Sequence, residues 1–213
     1  MLDSARELII TVLAVLIAIS MHELSHGYVS YKLGDPTPKE DGRLSLNPFA
    51  HLDIMGTLCL IFFNFGWAKP VKVNPYYYKN HKLGMVLVAI AGPIMNFIIA
   101  FLSIMGVGII IKISDGQLGN ISYNIYVFLQ YLALINIGLG TFNLIPVPPL
   151  DGSKVLGAII PEDKYFSYMK FEKYGYIALM ILLFIGVLDV PLGYVREFII
   201  NGMMGLVSFI LGM

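Results

Sequence analysis

The chain has 213 residues, 57% of them hydrophobic and only 13% charged, with a mean hydropathy of +0.77. Soluble domains carry about a quarter charged residues, so the composition excludes an ordinary soluble domain and fits a polytopic membrane protein. The formal net charge is zero, so nothing points to nucleic acid.

The first apolar run, Glu7–Leu33, is long enough to span a bilayer core of about 30 Å. It continues past the point where a secretory leader would be cut, so it is not read as a cleaved signal peptide. Within it stand His22, Glu23, Leu24, Ser25 and His26, an H-E-x-x-H motif. Positions i and i+4 share one helix face, so both imidazoles can bind one Zn²⁺ while the Glu activates a bound water. In a soluble protein this pattern often arises by chance on a solvated helix face. Roughly 10 Å below the membrane surface no such face exists, and ionisable groups at that depth mark function.

The next region, Gly34–Lys82, is not helical in pattern. It carries Pro36, Pro38, Pro48, Pro70 and Pro75, and its GRLSLNP and AKPVKVNP stretches read as short strands or turns. Met55–Phe65 is too short for a span and reads as a re-entrant or interfacial segment. Further spans are expected at Gly84–Lys112, Ile121–Ile145, Tyr174–Leu188 and Leu192–Leu211. The fold class is therefore an all-α polytopic membrane protein with about five to six transmembrane helices and a small membrane-associated β or re-entrant element. Residues 1–213 read as one transmembrane domain, with a core over about 7–156 and accessory spans over about 174–211.

Positive charge sets orientation. Of the fourteen cations, the segment from Lys32 to Lys82 holds Lys32, Lys39, Arg43, Lys69, Lys72, Lys79 and Lys82, and the segment from Asp151 to Lys173 holds Lys154, Lys164, Lys170 and Lys173. Five spans with the N-terminus outside put both segments in the cytoplasm, and the motif then sits toward that side.

Catalytic zinc usually takes three protein ligands and keeps a fourth position open. The single cysteine, Cys59, excludes a cysteine-based site and a disulfide framework. His51 and His81 lie in the polar connection and would have to fold back. Asp151 is the better third ligand. It follows the third span in NLIPVPPLDG, where three prolines break the helix on the same side as the polar end of the first span. Other residues draw plainer readings. Asn96 is either a group supporting the metal site or an interhelical hydrogen bond. His51 reads as a surface turn histidine, with a group supporting the metal site as the alternative, and His81 as interfacial. Trp67 and Tyr76–Tyr78 read as an aromatic belt, and Gly92–Pro93 as close packing or a kink.

Taken together, HELSH on the first span, GRLSLNPFAHLD after it, AGPIMN on the next and NLIPVPPLDG later resemble the site-2 protease family of intramembrane zinc metalloproteases. The chain resembles a minimal member, without a PDZ-like insert or a nucleotide-sensing domain. The resemblance implies His22, His26 and Asp151 as ligands of one Zn²⁺ and Glu23 as general base. It implies Asn143 as a substrate-positioning or oxyanion-steadying residue, and Pro146 and Pro149 as the break that turns Asp151 toward the metal. The expected function is hydrolysis of peptide bonds in or near transmembrane segments of membrane-protein substrates, in a multi-pass protein of a bacterial cell membrane. Two His and a carboxylate also suit Fe(II). A metal-binding membrane transporter is the alternative, and an inactive helix-binding scaffold a third reading.

Overall fold

A computed structural model describes residues 2–53, 55–56, 59, 67–114, 117–161, 164 and 172–213. Its elements are helical, and among the described residues the only β pairing is an isolated antiparallel bridge, Leu52 with Ala68. We number the helices α1 (Leu2–Lys32), α2 (Thr37–Glu40), α3 (His81–Ser114), α4 (Asn120–Asn143), α5 (Asp151–Ile159), α6 (Glu172–Phe184) and α7 (Asp189–Leu211).

The apolar run of α1 continues as helix until Gly34, whose φ of +106° suits a residue without a Cβ. The Asp35 N–H bonds back to Ser30 O at 3.2 Å and closes the helix end. Buried Asp35 then accepts hydrogen bonds from Ser30 Oγ (2.7 Å), Thr37 N (3.0 Å) and Asn74 N (2.7 Å), pinning both ends of the long connection to α1. Burial alone would push this carboxyl up. The bonds from Thr37, Asn74 and Ser30 more than offset that and leave it below its ordinary value. Its stabilising contribution is thus present above the unfolded carboxyl's pKa and is lost as pH falls through the folded one. Asp35→Asn is expected to cost about 1–3 kcal/mol, read as a lower thermal midpoint in detergent at neutral pH; an unchanged midpoint would rule this out.

The expected short strands do not form a ladder among the described residues. Prolines at 48, 70 and 75 lack the N–H a ladder needs. Buried Arg43 supplies donors in its place, to Ala50 O, to Lys69 O at 2.7 Å and to Pro70 O at 2.9 Å. Asn47 and Asn74 each open a 3₁₀ turn, at Pro48–Ala50 and Pro75–Tyr77, by accepting from the N–H two residues on. Met55–Phe65, read as re-entrant, lies outside the described residues apart from Met55, Gly56 and Cys59.

Four described helices are long and apolar enough to cross a membrane: Ala5–Lys32, His81–Ser114, Asn120–Asn143 and Asp189–Leu211. The expected five to six are not reached among the described residues. The run Tyr174–Leu188 differs most, because its helix stops at Phe184 in a turn where Gly186 has φ +70°. The 13 described residues of α6 cover only about 20 Å. Its first turn rests on the loop after α4, where a Cβ on Gly175 would lie 2.4 Å from Pro148 O.

Helix directions follow from named contacts. His26 with Val88, and His22 with Asn96, set α1 antiparallel to α3. Gly106 against Leu129, and Gly140 against Phe97 and Asn96, set α4 antiparallel to α3. Gly108 faces Val207 and Leu211, and Lys112 Nζ donates to Leu211 O, so α7 runs parallel to α3. The four long helices thus alternate in direction. The connections after α1 and after α4 leave the bundle at one end, and with Lys32 and Lys82 on the adjoining helix ends they account for eleven of the cations. Small buried residues (Ala14, Ala18, Ala89, Ala100, Ala133) let α1, α3 and α4 approach closely.

Candidate metal centre

His22 and His26 lie one turn apart on α1 with their Nε2 atoms 3.0 Å from each other. Asp151, the first residue of α5, brings Oδ2 to 3.1 Å from each. All three side chains are buried. Ligands at 2.0–2.2 Å around a tetrahedral zinc stand about 3.3 Å apart, so two imidazole nitrogens and a carboxylate oxygen at this spacing fit such an ion. Burial would raise the Asp151 carboxyl, yet the two imidazoles beside it hold it well below the ordinary carboxylate value, as an anion. Among the described residues this is the one group of His, Cys, Asp or Glu side chains able to share a metal.

Local sequence explains each placement. α4 ends at Asn143, and its successor residues turn through Val147 N to Ile145 O (2.8 Å) and Leu150 N to Val147 O (3.0 Å) before α5 begins at Asp151. Gly152 is required there, because a Cβ would sit 2.2 Å from Leu144 O. The imidazole tautomers are fixed by their outer nitrogens. His26 Nδ1 donates to Val88 O at 2.7 Å, and His22 Nδ1 to Asn96 Oδ1 at 2.6 Å, leaving both Nε2 lone pairs for the shared point.

A cavity of about 590 Å³ reaches the three groups and is also lined by Glu23, Trp67, Val71, Asn143, Lys154 and Leu179. Glu23 Oε2 accepts from Val71 N at 3.0 Å, so the extended segment after Trp67 passes beside the carboxylate. Asn143 donates one amide N–H to Leu139 O at 3.0 Å. Lys154 Nζ stands 3.8 Å from Asp151 Oδ1.

The expected candidates divide accordingly. His22, His26 and Asp151 converge, and Glu23 and Asn143 share their cavity. Asn96 combines its two alternative readings, touching His22 and bonding across helices. His51 is corrected: it is fully buried, not at a surface turn, and its Nε2 donates to Ser45 O at 2.8 Å in the loop held by Arg43. His81 packs edge-on against Tyr76. Trp67 lines the cavity while staying partly exposed, Tyr76 and Tyr77 are exposed, and Tyr78 departs from the expected belt because it is buried on Ser30 through a 2.7 Å bond. Asn136 and Asp35 carried no motif, Arg43 stood in GRLSLNPFAHLD without an assigned role, and Val71 acts through its backbone, which leaves no trace in residue type.

Membrane helices that bury two histidines and a carboxylate, with a half-buried glutamate beside them in the same cavity, define a membrane metalloprotease. The sequence model of peptidase family M50 matches residues 10–186, and the chain belongs to that family, the site-2 proteases. It is 38% identical over 171 residues to the putative zinc metalloprotease YwhC of Bacillus subtilis, covering 80% of this chain and 78% of that one. It is 32% identical over 173 residues to the zinc metalloprotease MJ0392 of Methanocaldococcus jannaschii, covering 79% of this chain but 40% of that longer one. A third relative, the putative zinc metalloprotease MJ0611 of the same archaeon, is 31% identical over 76% of this chain and 81% of its own. No solved structure matches.

Proposed function

We propose that this protein is an intramembrane zinc endopeptidase that hydrolyses peptide bonds in or near transmembrane segments of other membrane proteins. In this reading His22, His26 and Asp151 hold the metal and Glu23 is the general base. The observation that carries it is the convergence of three buried ligand atoms, from α1 and α5, within 3.1 Å of one another. Zinc bound there would lower the pKa of a water toward about 7 and polarise a peptide carbonyl.

The chain's own residues supply the rest. Glu23 takes the proton of the attacking water and passes it to the leaving amine. Val71 N–H holds one of its carboxylate oxygens and so orients the other. Asn143 uses one amide N–H on Leu139 O and keeps its second for a substrate oxygen. Such a donor is worth about 3–4 kcal/mol where charge develops. The extended backbone around Val71 offers a template on which an unwound substrate can add as a strand. Because a helical substrate must unwind first, Gly, Pro or Asn in its span should speed cleavage. The catalytic core is residues 7–156, and the excess of Lys and Arg at the motif's end of the bundle faces the cytoplasm.

The test is zinc per chain in purified wild type and in Asp151→Ala. About one zinc in wild type and a clear loss in the variant is the expected result. Zinc retained without Asp151 would place the third ligand elsewhere, and no zinc in wild type would overturn the reading.

A further inference from the structure

The metal-facing state of His22 depends on which end of the Asn96 amide it meets. An oxygen there makes Nδ1 a donor and leaves Nε2 free for a metal. An NH₂ there would demand the opposite tautomer, with a proton on Nε2 where the metal has to bind. An asparagine amide is nearly symmetric in shape, so something must fix its direction.

We propose that Asn136 on α4, a residue with no part in the motifs, is a positioning residue that sets this direction through a buried three-helix relay. Asn96 Nδ2 donates to Ala18 O on α1 at 3.2 Å and to Asn136 Oδ1 at 2.8 Å, which occupies both its hydrogens and turns Oδ1 to His22. The Asn136 amide is itself directed, because its Nδ2 donates to Leu132 O at 2.8 Å. Ala18 O and Leu132 O are backbone carbonyls and can only accept, so the polarity of the whole chain is set by groups that cannot flip. Both asparagines are fully buried. Close contact at Gly140, where a Cβ would lie 3.3 Å from Asn96 Cβ, keeps α4 near enough for the relay. This inference rests on the metal reading above.

The experiment is a zinc affinity series on the full chain in detergent, by competition with a chelating dye. Asn136→Leu is expected to weaken zinc about 10–100-fold, as loss of a group supporting a metal-bound imidazole does. Asn136→Val carries the same expectation and stands in if Asn136→Leu does not fold. Asn136→Asp, whose neutral carboxyl donates to Leu132 O and accepts from Asn96, should stay near wild type. The decisive variant is Asn96→Asp added to Asn136→Leu. A carboxyl at 96 offers His22 an oxygen without any help from residue 136, so affinity should return. A purely packing role would not be rescued in this way. Unchanged affinity in Asn136→Leu, or a loss that Asn96→Asp fails to restore, overturns the relay. Zinc that is absent from wild type, or indifferent to His22→Ala, overturns the metal reading and the relay together.

Discussion

Glu23→Gln is expected to lower cleavage of a transmembrane model substrate by about 10²–10⁴-fold, the range a general base supplies, while leaving zinc at wild-type content. The two readouts separate because of what the substitution preserves. Glutamine has the same shape, and its side-chain oxygen can still accept from Val71 N–H as Glu23 Oε2 does. The neighbouring ligands keep their own anchors, His22 on Asn96 and His26 on Val88. Only the capacity to take and return a proton is removed. Cleavage by gel shift and elemental zinc on the same preparation check this. Activity surviving at more than a tenth would assign the base elsewhere, and zinc lost with activity would make Glu23 a structural group.

The same hydrogen bond links chemistry to the loop. The carbonyls of Lys69 and Pro70 are gripped by Arg43, and the N–H of the following residue, Val71, reaches Glu23. A guanidinium outside the cavity therefore helps place the backbone that orients the proposed base. Asp35 holds the far end of that stretch through Asn74 N. Among its described residues, the connection after α1 is thus ordered by two buried charges in place of a sheet.

That arrangement explains where sequence reading succeeds and where it stops. The His22–His26 pair is legible because helix periodicity alone puts them on one face, and Asp151 because prolines and Gly152 announce a turn at the matching end of a span. The Arg43 clamp is not legible, since a lone arginine in a polar loop looks like a solvated charge. Asn136 is hidden for a related reason: one polar residue in an apolar span has no periodic partner in its own helix, and its meaning comes from Asn96, forty positions away. The described helix at Tyr174–Leu188 is shorter than the expected span because hydropathy counts apolar residues and does not weigh the turn at Gly186, which follows the end of α6 at Phe184.

Gly92→Ala is expected to strip the metal centre as completely as loss of a ligand, although it changes one hydrogen to a methyl. Val88, Gly92 and Asn96 are spaced four apart on α3 and share one face. The outer two hold the imidazoles of His26 and His22 through their Nδ1 atoms, and the glycine lies between them. A Cβ there would fall 2.4 Å from His26 Nε2 and 2.6 Å from His22 Cε1. The rings cannot retreat without breaking the bonds to the same helix that carries the intruding methyl. Zinc affinity should fall by at least about 10–100-fold, the cost of misplacing a ligand's support, and cleavage should fall with it. Gly138→Ala is the matched control, because a Cβ at that helical glycine meets nothing within 4 Å. Normal zinc and activity in Gly138→Ala beside an empty, folded Gly92→Ala would show that α3 is the floor of the site. Normal zinc in Gly92→Ala would mean that the histidines are held less tightly than their hydrogen bonds imply.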